Sequence, residues 1–377
     1  MIFVTGMFRS GTTFVARLLN QSDEISFASD PFFAVLKDFR NTLSNESAHK
    51  VDPHAPLEDY YFDESKFHFF KTIQNTSLND VKIPNLAYLK EFTRASSFPY
   101  SELLSKQIHK IIANNYGDFL RQGEQILREV YGNKRLSGMK EVWANEFAPH
   151  IINVFQNTSK VIHIIRDPRA ILVSNFYSDG RYPILFLARQ WRKLVTLAYL
   201  YTKSNQNNMI IKYEDLILNP KETIQGICNF VGINFDEKLL STEEITDGGN
   251  KKWTQNSTFQ ENASTGFNQS SVNRWKDKIK NSDRMAIEFL CYPEMKLLGY
   301  NDFVNESFQE ISSDNLVDDK EKLAKWILPY SELNVQAEFE KETYRLSLLG
   351  KNSSEKEMEL NYLFPSVYQD IKTILSK

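Results

Sequence analysis

Cysteine occurs only twice in the 377 residues, as Cys228 and Cys291, and neither stands in a CxxC or a Cys/His spacing. That excludes a disulfide-built scaffold and a structural zinc site, and it fits a reducing compartment. Charge of one sign is not in excess either, since the net value is -3 at pH 7. A chain so balanced has no general attraction to nucleic acid or to an anionic membrane, so any anion site has to be local. No stretch reaches the ~18 uninterrupted apolar residues that a membrane span needs, and there is no internal repeat. The chain opens directly on strand-like Ile2-Phe3-Val4-Thr5, with neither a basic n-region nor an apolar h-region. A cytoplasmic protein is therefore the expectation.

What is present is an ordinary globular composition, 41% hydrophobic and 25% charged, enough for one large α/β domain or two modest ones. The first 27 residues read as strand, glycine turn and helix, with Phe14, Leu18 and Leu19 on one helical face. An aromatic-rich, helix-biased stretch over about 31–135 reads as an insertion above the sheet. The α/β pattern resumes at Ser137–Trp143 and continues in the apolar run after Lys160, the pattern of a strand buried on both faces. Asp167-Pro168 then opens a helix through DPRAILVSNFYSD, Asp as N-cap and Pro at the first helical position. Another helix is expected over roughly 184–204, a strand at MIIKYEDL, and a helix from Pro220. A polar stretch within 247–276 is a long loop, and the part after 303 is acidic and helical. His163 is expected to pack in the sheet. The predicted fold is α/β, a P-loop-like three-layer arrangement with a central parallel sheet flanked by helices, over 1–302, followed by a helical extension over 303–377.

Gly6-Met7-Phe8-Arg9-Ser10-Gly11-Thr12-Thr13 has the GxxxxG frame of a phosphate-binding loop between a strand and a helix. The lysine that nucleoside triphosphatases place after the second glycine is Thr12 here, and the nearest cation is Arg9. The next candidate strand ends in Arg166-Asp167, where Asp167 is engaged as a helix cap rather than as a magnesium ligand. The pattern therefore points to an anion site that needs no metal. Arg166, at the end of a buried strand, and Ser174, eight residues on, suit a doubly charged phosphate. An ATP- and magnesium-dependent phosphotransferase, or a non-catalytic nucleotide-binding relic of such a fold, are the competing readings.

RSGTT after the first strand and RDPRAILVSNF after a later one together resemble the two nucleotide motifs of the sulfotransferases that use 3′-phosphoadenosine 5′-phosphosulfate (PAPS). Tyr213-Glu214-Asp215-Leu216 with Asn219-Pro220, Asn256-Ser257-Thr258-Phe259 and Asn273-Arg274-Trp275-Lys276 agree with that family in order. The resemblance implies PAPS as co-substrate, with Arg9, Ser10, Gly11, Thr12 and Thr13 on its 5′-phosphosulfate. It implies Arg166, Ser174 and Arg274 on the 3′-phosphate, and Tyr213 and Phe14 beside the adenine. Ser257 and Thr258 match the nucleotide-covering loop at about 247–276. Arg9 stands where many members have a lysine, and Lys140 matches a second lysine near the transferring group. Asp30 occupies the place of an acidic base, yet as a residue before Pro31 it serves equally well as a helix cap; Glu141 and His150 are the other candidates. The expected acceptor is a hydroxyl of a small molecule, sugar or lipid.

Overall fold

Short apolar runs buried on both faces belong in the middle of a parallel sheet, where helices cover them from above and below. The computed structural model of the chain describes residues 1–53, 58–156, 158–175, 180–242, 245, 266–304, 306–324 and 332–377. Five strands form one sheet: β1 (Ile2–Gly6), β2 (Ile25–Ser29), β3 (Leu136–Val142), β4 (Lys160–Ile165) and β5 (Asn208–Lys212). Their order is β2-β3-β1-β4-β5, and every pairing is parallel. β1 is buried throughout and lies in the centre, while β5, with three half-buried positions, is an edge strand. The expected α/β fold, with a central parallel sheet, helices around it and a helical C-terminal part, is the one observed.

The order places a topological switch at β1, whose sheet neighbours β3 and β4 lie on opposite sides of it, and open sheets of this kind bind ligands outside the strands' carboxyl ends. α1 (Thr12–Asn20) follows β1 and α2 (Phe33–Asn45) follows β2. Three local expectations are corrected. Ile25–Ser29 is a strand in its own right, seen only through its pairing with β3. The strand expected at MIIKYEDL stops at Lys212, and Tyr213–Leu218 is a helix. Glu214 and Asp215 lie in that helix's first turn, where carboxylates favour a helical start. The helix after Asp167 ends at Val173 rather than running on, so Ser174 is its C-cap. Its beginning is as expected, with Asp167 accepting from the Arg169 N–H at 2.8 Å and Pro168 at the first position.

The chain divides into two compact units, Met1–Pro53 with Lys71–Ile165 and Tyr201–Gln269 in one, and His54–Phe70 with Arg166–Leu200 and Ser270–Lys377 in the other. The first holds the whole sheet. In its core, the His163 imidazole is fully buried, meeting Asn145 at 2.9 Å and Asn208 at 3.0 Å. The second is helical, and its core includes charge. Arg189 bonds Glu338 at 2.6 Å and Glu342 at 2.9 Å, and Arg192 bonds Glu342 at 2.5 Å and the Leu290 carbonyl at 2.9 Å. Among the described residues no helix is long and apolar enough to cross a membrane.

Burial by itself would push the Glu342 carboxyl up, but the Arg192 and Arg189 guanidiniums hold it down at about 2. Its contribution is therefore present above its ordinary value of 4.5 and is lost as pH falls through about 2. Glu342→Ala leaves two buried guanidiniums short of a carboxylate and is expected to cost about 3–5 kcal/mol. Denaturant titration at pH 7 measures it; a loss below about 1 kcal/mol would mean that the cluster is not what holds Val335–Ser347 in place.

Candidate functional site

The loop after β1 is shaped by its two glycines. A Cβ at Gly6 would lie 2.3 Å from the Ile164 carbonyl oxygen, and one at Gly11 would come within 2.5 Å of the Tyr213 ring. Gly11 takes φ 95° and Arg9 φ 64°, left-handed conformations that turn the chain sharply into α1. Ser10 is buried and closes the loop on itself, its Oγ donating to the Met7 carbonyl at 2.6 Å. The Trp143 N–H donates to the Gly6 carbonyl at 2.9 Å, tying the start of the loop to the end of β3. Gly11 is the N-cap of α1, and no side-chain acceptor caps that helix. The first turn thus presents backbone donors and the positive end of a helix dipole, the arrangement that receives phosphate.

Arg9 extends from this loop with its guanidinium 4.8 Å from the Phe8 ring centre, and Phe8 stacks on Trp143 at 6.2 Å. Trp143 is thereby a loop anchor. Phe8 had no sequence signal beyond standing before Arg9. Thr12 is buried, Thr13 is exposed, and Phe14 meets Phe267 edge to face at 5.0 Å. Tyr213 packs its ring on Gly11, so the loop and the start of the helix Tyr213–Leu218 are neighbours.

Beside the loop, the end of β2 runs against β3 in a register that pairs Ser29 with Lys140. Asp30 follows in the left-handed conformation, φ 47°. Its N–H donates to the Lys140 carbonyl at 2.7 Å, its Oδ1 accepts from the Val142 N–H at 3.4 Å, and its Oδ2 forms an ion pair with the Lys140 ammonium. Asp30 does not cap α2, whose N-cap is Phe32 with no side-chain acceptor. Lys140, far from being a solvated strand end, is 2% exposed. Glu141 is fully buried, and its Oε1 accepts from the Phe32 N–H at 2.5 Å. Burial, then the neighbouring Asp30 charge, push its carboxyl well above the ordinary range. His150 packs between Phe39 and Phe147, and burial takes its imidazole down to about 4.

The second unit holds the other predicted group. Arg166 follows β4 directly; its carbonyl accepts from Trp191 Nε1 at 2.8 Å, and its Nη2 donates to the Ser271 carbonyl at 2.9 Å. Ser271 belongs to the short helix Ser270–Asn273, at whose end Arg274 donates to Ser270 Oγ at 3.1 Å. Arg166 and Arg274 are thus brought to one short helix, and Ser174 is buried. Ser257 and Thr258 lie outside the described residues.

Residues 2–237 match the profile of the sulfotransferase family, a span that includes the loop, Asp30, Lys140, Glu141, Arg166, Ser174 and Tyr213. Carbohydrate sulfotransferase 6 of Homo sapiens is 22% identical over 347 residues, 82% of each chain. The 3-beta-hydroxysteroid sulfotransferase of Cavia porcellus is 26% identical over 135 residues, which are 30% of this chain and 45% of that one. Among solved structures, the sulfotransferase domain from the Synechococcus PCC 7002 olefin synthase has a TM-score of 0.46 at 14% identity, covering 80% of this chain and 95% of that one. With its phosphate-type loop inside a match that takes in more than half of its length, the chain belongs to the sulfotransferase family.

Proposed function

We propose that this protein transfers a sulfuryl group from PAPS to a hydroxyl acceptor by in-line displacement. The observation that carries the reading is the β1–α1 loop: an uncapped helix start, two glycines held close to their neighbours, and Arg9 as the cation within it. In this reading Arg9, Ser10, Gly11, Thr12 and Thr13 hold the 5′-phosphosulfate, and Phe14 and Tyr213 border the adenine. Arg166, Ser174 and Arg274 take the 3′-phosphate. The acceptor oxygen forms its bond to sulfur as the bond from sulfur to the bridging phosphate oxygen breaks. The electron pair stays on that oxygen, giving 3′-phosphoadenosine 5′-phosphate, and the acceptor proton passes to Asp30. Arg9 and Lys140 are assigned to the negative charge that develops on the leaving phosphate.

A sugar hydroxyl is the acceptor class to test first, because a carbohydrate sulfotransferase aligns over 82% of both chains whereas the steroid enzyme aligns over 30% of this one. Two free, buried cysteines support a cytoplasmic location.

Calorimetric titration with 3′-phosphoadenosine 5′-phosphate, AMP and ATP, with and without magnesium, tests the donor. Tight, metal-independent preference for the first is expected; preference for magnesium-ATP would move the protein to the phosphotransferases. Arg166→Ala and Ser174→Ala should each weaken 3′-phosphoadenosine 5′-phosphate by at least about tenfold, the weight of one charge-assisted hydrogen bond. AMP, which lacks the 3′-phosphate, should lose about twofold or less, well under the worth of one such bond. Equal losses for the two ligands would remove both residues from the 3′-phosphate.

A further inference from the structure

A left-handed Asp followed by Pro, and then by a helix with no side-chain cap, is not a turn that holds itself. The stretch Asp30–Phe32 is instead held from β3, at three points. Two run through Asp30 itself: its N–H on the Lys140 carbonyl and its carboxylate on the Val142 N–H and the Lys140 ammonium. The third is the Glu141 side chain on the Phe32 N–H. Successive residues of a strand point to opposite faces, so Lys140 and Glu141 grip the turn from two sides.

We infer that Glu141 is a positioning residue for the transfer reaction: by accepting from the Phe32 N–H it fixes the Asp30–Phe32 turn on β3 and keeps the Asp30 carboxylate at Lys140. The inference rests on the reading in which Asp30 takes the acceptor proton. Glu141 is 0% exposed, and its Oε2 is buried without a hydrogen-bond partner among the described residues. A buried ionised carboxylate with an unbonded oxygen carries a large desolvation cost. The charged groups facing it are Asp30 from the turn and Lys140 on its own strand; burial and then the Asp30 charge push its carboxyl up, against the Phe32 and Phe33 N–H groups and the Lys140 ammonium. Burial and the Asp30 charge thus favour the protonated form of Glu141, which acts through its acceptor oxygen on the Phe32 N–H. In that form Glu141 is no proton acceptor, and its part is to hold the turn that carries Asp30.

Two variants separate positioning from catalysis. Glu141→Gln keeps the shape and the acceptor oxygen and has no charge; Glu141→Leu removes the acceptor. Both are compared with the wild type for transfer from PAPS to N-acetylglucosamine, for affinity toward 3′-phosphoadenosine 5′-phosphate, and for hydrogen–deuterium exchange of the segment containing the Phe32 amide. Glu141→Gln is expected to keep kcat within about threefold and to keep Phe32 protected. Glu141→Leu should lower kcat about 100-fold, the cost of a misplacement on the order of 1 Å, with nucleotide affinity unchanged and Phe32 exchanging faster. A Gln variant as impaired as the Leu variant would make Glu141 an ionised participant and overturn the inference. So would a Leu variant with wild-type rate and protection. If the Leu variant does not fold, Glu141→Gln and the wild-type protection of Phe32 still decide, since an unprotected amide overturns the positioning. Exchange needs no turnover, so a wild-type protein inactive toward PAPS defeats the functional reading alone.

Discussion

If the proposed reading holds, Asp30→Asn is expected to lower kcat for transfer from PAPS by about 10²- to 10⁴-fold, the range supplied by a positioned general base, and to change the affinity for 3′-phosphoadenosine 5′-phosphate by about threefold or less, under ~0.7 kcal/mol. Asparagine keeps the size of the side chain and an oxygen for the Val142 N–H, so the turn after β2 is preserved. What it loses is the ability to accept a proton and the ion pair with Lys140. Because Lys140 is 2% exposed, an ammonium left without its carboxylate is costly. Thermal unfolding therefore has to accompany the kinetics, and Asp30→Asn with Lys140→Met shows how much of any stability loss comes from the stranded charge. Steady-state rates at saturating PAPS give kcat directly. Turnover within about fivefold of wild type, less than the smallest contribution expected of a general base, would place the base elsewhere.

In the same proposed reading, Arg9→Ala is expected to lower kcat by about 10²- to 10³-fold, the worth of a donor aimed at developing charge. Arg9→Lys, which restores a cation at the same point of the loop, is expected to recover all but about tenfold, since a point charge replaces a fork of donors. Arg9 differs from the other loop residues in what it offers the ligand. Ser10 is buried and spends its hydroxyl within the loop, and Gly11 contributes backbone, whereas Arg9 carries a full charge beside Phe8. An interaction made mainly in the transition state lowers kcat and kcat/KM alike and leaves ground-state binding nearly intact. Single-turnover kinetics with calorimetry on the same variant distinguish the two cases. A large loss of nucleotide affinity with unchanged kcat would make Arg9 a ground-state ligand and remove it from the chemistry.

Several features were legible in the sequence because they are local. The strand-turn-helix at 1–20 follows from an apolar run, two glycines and an amphipathic segment. The Asp167-Pro168 start follows from capping chemistry within three residues. The burial of Val161–Ile165 follows from a run that is apolar at all but His163. Each of these needs only neighbours along the chain. Family motifs added the roles proposed for Arg166, Ser174 and Tyr213, residues whose individual patterns were weak.

Only the tertiary structure decided the rest. Ile25–Ser29 becomes a strand through a partner more than 100 residues later, and nothing in its five residues demands it. Asp30 had two equal local readings, cap or base; the helix that follows has Phe32 as its N-cap, which removes the first, and the Asp30 carboxylate lies instead on Lys140, 110 residues away. The hydrogen bond from Phe32 to Glu141 left no trace in the sequence, because any backbone N–H is chemically like any other until folding brings one to a buried carboxyl group. The sequence by itself determined the loop, its arginine and the strand-helix alternation, since propensity, capping and hydrophobic period act over a few residues. The tertiary structure alone decided which carboxylate meets which cation, because that pairing depends on how β2 and β3 align, and parallel register is fixed by contacts between segments far apart in the chain.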